Sequence, residues 1–180
     1  MSLHADALST LSAWNAPTPA QAALRDRYVA HLAARPDGME RACFPDHLTA
    51  GAIVLSADGS SVLLNLHRKA KRWFHFGGHC EPGDATLAGA ALRETYEESG
   101  LPEVLFDPTP LALSEHSVPF CDPRGVVQHL DVRFAARAPQ GVEHSVSDES
   151  LDVRWFDLDD LPDLEDEMHV HLALARERLR

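Results

Sequence analysis

The chain has 180 residues, 44% of them hydrophobic and 24% charged, which is the size and composition of one soluble globular domain and excludes a disordered tail or a multidomain assembly. A formal charge of −12 opposes sequence-independent attraction to nucleic acid or an anionic membrane, so neither is expected as a main partner. Three cysteines without a C-x-x-C spacing, no basic-then-apolar leader and no apolar run long enough to span a bilayer point to a reducing, cytoplasmic setting.

Residues 3–14 read as a short amphipathic helix closed by Asn15-Ala16-Pro17. A second helix starts at Thr18 as N-cap, with Pro19 in its first turn and Gln21 where a capping-box partner reaches back. Leu24, Tyr28 and Leu32 recur at helical spacing until Arg35-Pro36-Asp37-Gly38 stops them, giving a helical extension over 1–47 ahead of a domain over 48–180. Ile53-Val54-Leu55 and the alternating Val62, Leu64 and Leu66 read as a hairpin about the turn Ala57-Asp58-Gly59-Ser60. Its far end carries Arg68-Lys69-Ala70-Lys71-Arg72, then Trp73-Phe74-His75-Phe76 and a Gly77-Gly78 loop. A helix over 84–99 ends at Gly100, strands are expected around 110–118, 126–137 and 151–156, and a last helix over 163–178. One helix inserted after a hairpin, among further strands, places the fold in the α+β class with a mixed sheet. The acidity is local: Asp148 to Glu167 holds ten acidic residues and one Arg.

Chemistry concentrates in residues 77–101. On a 3.6-residue turn Glu94, Glu97 and Glu98 share one face, while Ala88, Leu92, Thr95 and Ser99 fall on another and are expected to pack on the sheet. Like charges at this spacing repel, and the C-terminal half of a helix disfavours them further, so the arrangement calls for a compensating cation. Carboxylate oxygens suit Mg²⁺ or Mn²⁺, and Mg²⁺ characteristically couples carboxylates to substrate phosphates. The glycine-rich loop allows close backbone approach to a ligand, and Arg68, Lys69, Lys71 and Arg72 are the candidates for holding phosphate charge.

The stretch GGHCEPGDATLAGAALRETYEESGL resembles the Nudix box, G-x5-E-x7-R-E-U-x-E-E-x-G-U with U a bulky aliphatic residue. Gly78, Arg93-Glu94, Glu97-Glu98, Gly100 and Leu101 match. Asp84 replaces the first Glu, eight residues rather than seven separate it from Arg93, and Thr95 stands where an aliphatic residue is usual. The preceding hairpin and the segment from Val153 to Pro162 also look like the family. The resemblance implies a Nudix fold, a mixed sheet between helices, and Mg²⁺- or Mn²⁺-dependent hydrolysis of a nucleoside diphosphate derivative. It further implies Glu94, Glu97 and Glu98 as metal ligands with the Gly77 carbonyl as another, and Arg93 as a structural residue tied to Asp84. Gly78 and Gly100 are structural by the same resemblance.

Two other readings stand beside it: a Nudix-fold binding module that signals nucleotide occupancy through the helical N-terminus, which the intact glutamates disfavour, and an isopentenyl-diphosphate-type isomerase, whose signatures Cys80 alone does not supply. Since glutamates that hold a cation are poorly placed to take a proton, the base is sought in the polar loop 139–150, which offers Glu143, His144, Asp148 and Glu149. Many family members place a carboxylate a few residues before a strand tryptophan; Glu149, six before Trp155, is chosen, with Asp148 second.

The remaining candidates carry plainer expectations. His75 and His79 beside Cys80 lack a companion zinc motif, so His79 is expected to shape the loop. His129 and Asp131 share a strand face and are expected to form a hydrogen-bonded structural pair. His169 and His171 share no helix face and are assigned no role; Trp73 and Phe74 are expected in the core rather than stacked on a base. A small-molecule nucleotide is the expected partner, and the sequence leaves the oligomeric state open, a homodimer included.

Overall fold

The computed structural model describes residues 1–148 and 150–180. Two helices open the chain, α1 over Leu3–Ala13 and α2 over Pro19–Ala34. Ser2 Oγ accepts from the Ala5 N–H and Thr18 Oγ1 from the Gln21 N–H, both at 3.2 Å, so each first turn has a side-chain cap. The Gln21 side chain does not reach back as the capping-box spacing suggests. Its amide pairs instead with the main chain of Leu113, donating to the carbonyl at 2.8 Å and accepting from the N–H at 2.6 Å, and so pins α2 to the sheet.

That sheet comprises β1 (Asp46–Leu55), β2 (Ser61–His67), β3 (Trp73–Phe74), β4 (Phe76–His79), β5 (Leu105–Asp122), β6 (Gly125–Arg137) and β7 (Ser150–Asp157). Helix α3 (Leu87–Ser99) follows β4, and α4 (Asp166–Arg178) comes last. One edge of β1 runs parallel to β6 from Asp46↔Gln128 to Leu55↔Arg137. The other edge is divided: β2 takes Val54 and Leu55, whereas β4 takes Thr49 to Ala52. Beyond this fork β2 carries β3 and β7. Main chains crowd at the fork, where a Cβ on Gly51 would lie 2.3 Å from the Phe76 carbonyl oxygen and one on Gly77 2.7 Å from the Gly51 Cα. Only glycine fits either position.

Strand alternation divides the core. Leu48, Ala50 and Ala52 pack with Leu11, Tyr28, Leu87 and Ala91 from α1, α2 and α3, while Ile53 and Leu55 face Met168, Leu172 and Ala175 of α4. Val54, Leu63, Phe76, Leu101 and Val153 fill the fork. The result is the expected α+β arrangement, a mixed sheet between helices with a helical N-terminal extension. That extension shares the core of the sheet, since Ala7, Leu11, Trp14, Tyr28 and Leu32 all belong to one buried cluster with it.

Several boundaries differ from the sequence expectations. Helix α3 begins at Leu87, capped by Thr86, rather than at Asp84. β5 extends well beyond 110–118, because Pro108, Pro110 and Pro119 fall in its register breaks and do not end it. Helix α4 starts at Asp166 rather than 163. Among the described residues no helix is long and apolar enough to cross a membrane.

Candidate functional site

Helix α3 lays its C-terminal half against the fork, so that its carboxylates meet β4. Glu98 Oε2 accepts from the Gly77 N–H at 2.8 Å and from Asn65 Nδ2 at 3.2 Å, with only 6% of the residue exposed. Its place corrects the expected division into an apolar face and a separate acidic one. The buried residues of α3 are Leu87, Ala90, Ala91, Thr95, Glu98 and Ser99, while Ala88 and Leu92 are only partly covered. Glu98 joins the inner face because a buried carboxylate requires donors, and the Gly77 N–H and the Asn65 amide supply them.

Glu94 rests beside Gly78, where a Cβ would stand 2.8 Å from its Oε2, so the glycine keeps room at that carboxylate. The Glu97 side chain points outward, 58% exposed. Arg93 Nη1 lies between the two, 3.0 Å from Glu94 Oε1 and 2.8 Å from Glu97 Oε2. The three carboxylates therefore share one end of α3 without converging as closely as expected, since a guanidinium separates two of them and the third turns inward. Every donor here is an oxygen, and a cation already bridges Glu94 and Glu97. The set fits a hard divalent ion.

Asp84 and Arg93 form a two-pronged pair, Nε to Oδ1 and Nη2 to Oδ2, both at 3.0 Å. The late start of α3 leaves Asp84 in the preceding turn, and this accommodates both the shorter acid and the extra residue. Arg93 Nη2 also donates to the His79 carbonyl at 2.9 Å, and the Glu81 N–H to Asp84 Oδ2 at 2.8 Å, so turn, helix and β4 are joined through one guanidinium. Burial opposes ionisation of Asp84, but the Arg93 and Glu81 hydrogen bonds hold its carboxyl below the ordinary value. Gly100 ends α3 at φ 65°, its N–H bonded to the Tyr96 carbonyl at 2.9 Å.

The basic turn between β2 and β3 is less uniform than its sequence. Arg68 donates to the main-chain carbonyls of Asp148 and Ser150, each at 2.9 Å. Arg72 meets Glu165 at 3.1 Å, with both side chains nearly half exposed. Lys71 is exposed, at φ 58°. Glu149 lies outside the described residues. Of its alternatives, Asp148 and Glu143 are exposed and the His144 ring donates to the Val153 carbonyl at 2.9 Å. An open depression of about 490 Å³, bordered by Asp58, Pro139, Gln140 and Trp155, includes none of the box residues.

A second constellation adjoins the first. His47 on β1, His79 at the end of β4, Cys121 on β5 and His129 on β6 place their ligand atoms within 4.8 Å of one another, the one such group of His, Cys, Asp or Glu among the described residues. Cys121 Sγ stands 3.4 Å from Nε2 of His79, 3.4 Å from Nε2 of His129 and 3.9 Å from Nε2 of His47. Burial, with the neighbouring imidazoles, pushes His79 down to about 4 and His129 to about 3; burial likewise lowers His47. His79, expected to shape the loop, also places its ring in this cluster. The other two residues once grouped with it go elsewhere: Cys80 enters the core, where burial pushes its thiol up to about 12, and His75 Nε2 pairs with Asp131 Oδ2 at 3.2 Å.

His129 and Asp131 are not partners either. Asp131 accepts from Thr49 Oγ1 and from Arg133 Nε, each at 3.0 Å. Arg133 continues to His171 Nδ1 at 2.6 Å and Glu167 at 2.9 Å, so His171, given no role from sequence, is buried in a polar chain that joins α4 to the sheet. Trp73 packs edge-on against Phe156 with centroids 4.7 Å apart, at the margin of the α4 core.

A family model described as NUDIX domain matches residues 45–176. Solved structures of similar fold include a NUDIX-family hydrolase from Clostridium perfringens, 23% identical, covering 74% of this chain and 98% of that one at a TM-score of 0.60. An Ap4A hydrolase from C. elegans is 20% identical over 73% and 96% of the two chains, with a TM-score of 0.59. An ADP-ribose pyrophosphatase from Streptococcus suis is 26% identical over 74% and 91%, with a TM-score of 0.54. No curated protein sequence matches the chain.

Proposed function

The chain belongs to the NUDIX family, and from that premise we propose that it hydrolyses the diphosphate linkage of a nucleoside diphosphate derivative with Mg²⁺ or Mn²⁺ as cofactor. The observation that carries this reading is Glu98: a carboxylate with 6% exposure, gripped by a main-chain N–H and an amide, one helical turn from a second carboxylate beside a glycine. A merely solvated acidic face would not bury its charge. Glu94, Glu97 and Glu98, with the Gly77 carbonyl, would hold the cation, which when bound screens phosphate charge and acidifies a coordinated water.

The other residues bind, orient and move the proton. Arg93 fixes the turn at Asp84 and the His79 carbonyl, setting β4 against α3. Lys71 and Arg72 receive the phosphates as they approach, with Arg72 exchanging Glu165 for substrate. Arg68 secures the main chain at Asp148 and Ser150, and Glu149 from that loop takes the proton of the attacking water. The helices over 1–47 act as an extension of the domain over 48–180 and buttress α3 from outside the chemistry.

ADP-ribose, named for the Streptococcus suis relative, heads the substrate panel. Other nucleoside diphosphate sugars, nucleoside triphosphates and diadenosine polyphosphates complete it, each assayed with Mg²⁺ and Mn²⁺ by chromatography. Release of a nucleoside monophosphate from a diphosphate-linked compound is expected. Binding with no product on any member of the panel would refute hydrolysis in favour of a sensor.

A further inference from the structure

We propose that His47, His79, Cys121 and His129 form a tetrahedral zinc site that ties β1, β4, β5 and β6 together beside the active-site box. Zinc bonds of roughly 2.0–2.1 Å to nitrogen and 2.3 Å to sulfur at tetrahedral angles put each nitrogen about 3.6 Å from the sulfur. The three distances from Cys121 Sγ, 3.4, 3.4 and 3.9 Å, bracket that value.

The hydrogen bonding around the cluster already orients one ring as a ligand. Cys121 has one S–H to give, and three imidazole nitrogens face it. His47 donates from Nδ1 to the Cys43 carbonyl at 3.0 Å, an acceptor that can take nothing but a proton donor, so the neutral ring presents a bare Nε2 to the sulfur. This is how ligand histidines are oriented, with the distal nitrogen held by a carbonyl. One cation at the centre satisfies all four atoms.

The scaffold is already arranged for it. His47 and His129 are direct partners across the parallel β1–β6 ladder, and His79 joins through the β1–β4 ladder, where it is paired with Thr49. Cys121 and His129 flank the β5–β6 turn. Arg124 in that turn grips the Asp122 carboxylate, donates to the Ala42 carbonyl at 2.8 Å and lies 4.8 Å above the Phe44 ring, holding the turn to the segment that leads into His47.

The donor set also selects the metal. Three imidazoles and one thiolate suit zinc and reject Mg²⁺ or Mn²⁺, which the oxygen donors of the box prefer. Four protein ligands leave no open position, so this zinc is structural. It acts on the box through His79, whose ring belongs to the cluster and whose carbonyl receives Arg93.

Metal analysis of the full chain, purified without chelator and dialysed against metal-free buffer, is expected to give about one zinc per chain. Exchange for Co²⁺ should produce the strong visible bands of a tetrahedral site and a near-ultraviolet thiolate-to-cobalt transition. Cys121→Ser should abolish that transition, His129→Ala should lose the zinc, and chelation should lower the wild-type Tm. The box carboxylates offer only oxygen and Cys80 is buried in the core, so a metal held by those carboxylates cannot imitate this spectrum. Folded wild-type protein holding under about a tenth of an equivalent of zinc, with neither spectrum nor Tm responding to added Zn²⁺ or Co²⁺, overturns the proposal. A thiolate transition that survives in folded Cys121→Ser overturns the ligand set. The wild-type cobalt spectrum decides the matter even if a variant fails to fold.

Discussion

Glu97 and Glu98 are adjacent in sequence and sit in different media, which separates their contributions to activity and stability. Glu97 is mostly exposed and Arg93, its partner, keeps Asp84 and the His79 carbonyl without it, so Glu97→Gln should change stability by less than about 1 kcal/mol. Glu98→Gln places an NH₂ among the donors of Gly77 and Asn65 and should cost about 1–3 kcal/mol. If both carboxylates hold the cofactor as proposed, both substitutions should reduce turnover by about 10²-fold or more. Urea unfolding read beside a product assay distinguishes the two variants; equal stability would argue against the inward position of Glu98. Asp84→Asn breaks the two-pronged contact to Arg93 and should cost about 2 kcal/mol at neutral pH. A carboxyl whose folded pKa is lowered contributes stability above its unfolded value and loses it as pH falls through the folded one. The gap between wild type and Asp84→Asn, followed by urea midpoints, should therefore close in acid.

At the scale of elements, the box was legible and the histidine-cysteine cluster was not. Helix α3 announces itself through spacing within one segment, so Glu94, Glu97 and Glu98 could be placed together by counting. Counting could not say that Glu98 turns inward, since that depends on Asn65 and Gly77 from separate strands. The cluster draws one residue from each of four strands, and only their register unites them. Eleven histidines in 180 residues, and a Cys121 to His129 pair flanking a turn, were the available signals, and neither fixes a partner. The β2–β3 turn gives a test of its own. Lys71 at φ 58° tolerates glycine better than alanine, so Lys71→Gly with Arg72→Ala is the clean removal of charge. The double variant should raise KM several-fold with little change in kcat and flatten the salt dependence of KM. Unchanged KM and salt response would return the turn to ordinary solvated surface.

Across the molecule, a buried polar brace docks the last helix on the sheet. Arg133, 5% exposed, holds Asp131, Glu167 and His171 together and so docks α4. Burial, reinforced by Arg133, pushes His171 down to about 4. The unfolded chain therefore binds a proton on this ring below about pH 6.5 that the folded chain refuses until about pH 4. Stability from this group is complete above that window and is lost as pH falls through it. His171→Gln should flatten the decline of unfolding free energy between these limits, measured in urea at stepped pH; an unchanged slope would show that the ring does not titrate there.

The proposed hydrolysis depends on the box carboxylates and a hard divalent cation. Its most direct test follows nucleoside monophosphate release, from whichever panel member turns over, by zinc-loaded protein in buffer free of Mg²⁺ and Mn²⁺, then after Mg²⁺ is added, with Glu97→Gln in parallel. No product is expected before addition, steady release after it, and a rate lower by about 10²-fold or more in the variant. Equal turnover with and without Mg²⁺, or a Glu97→Gln rate matching wild type, would contradict it.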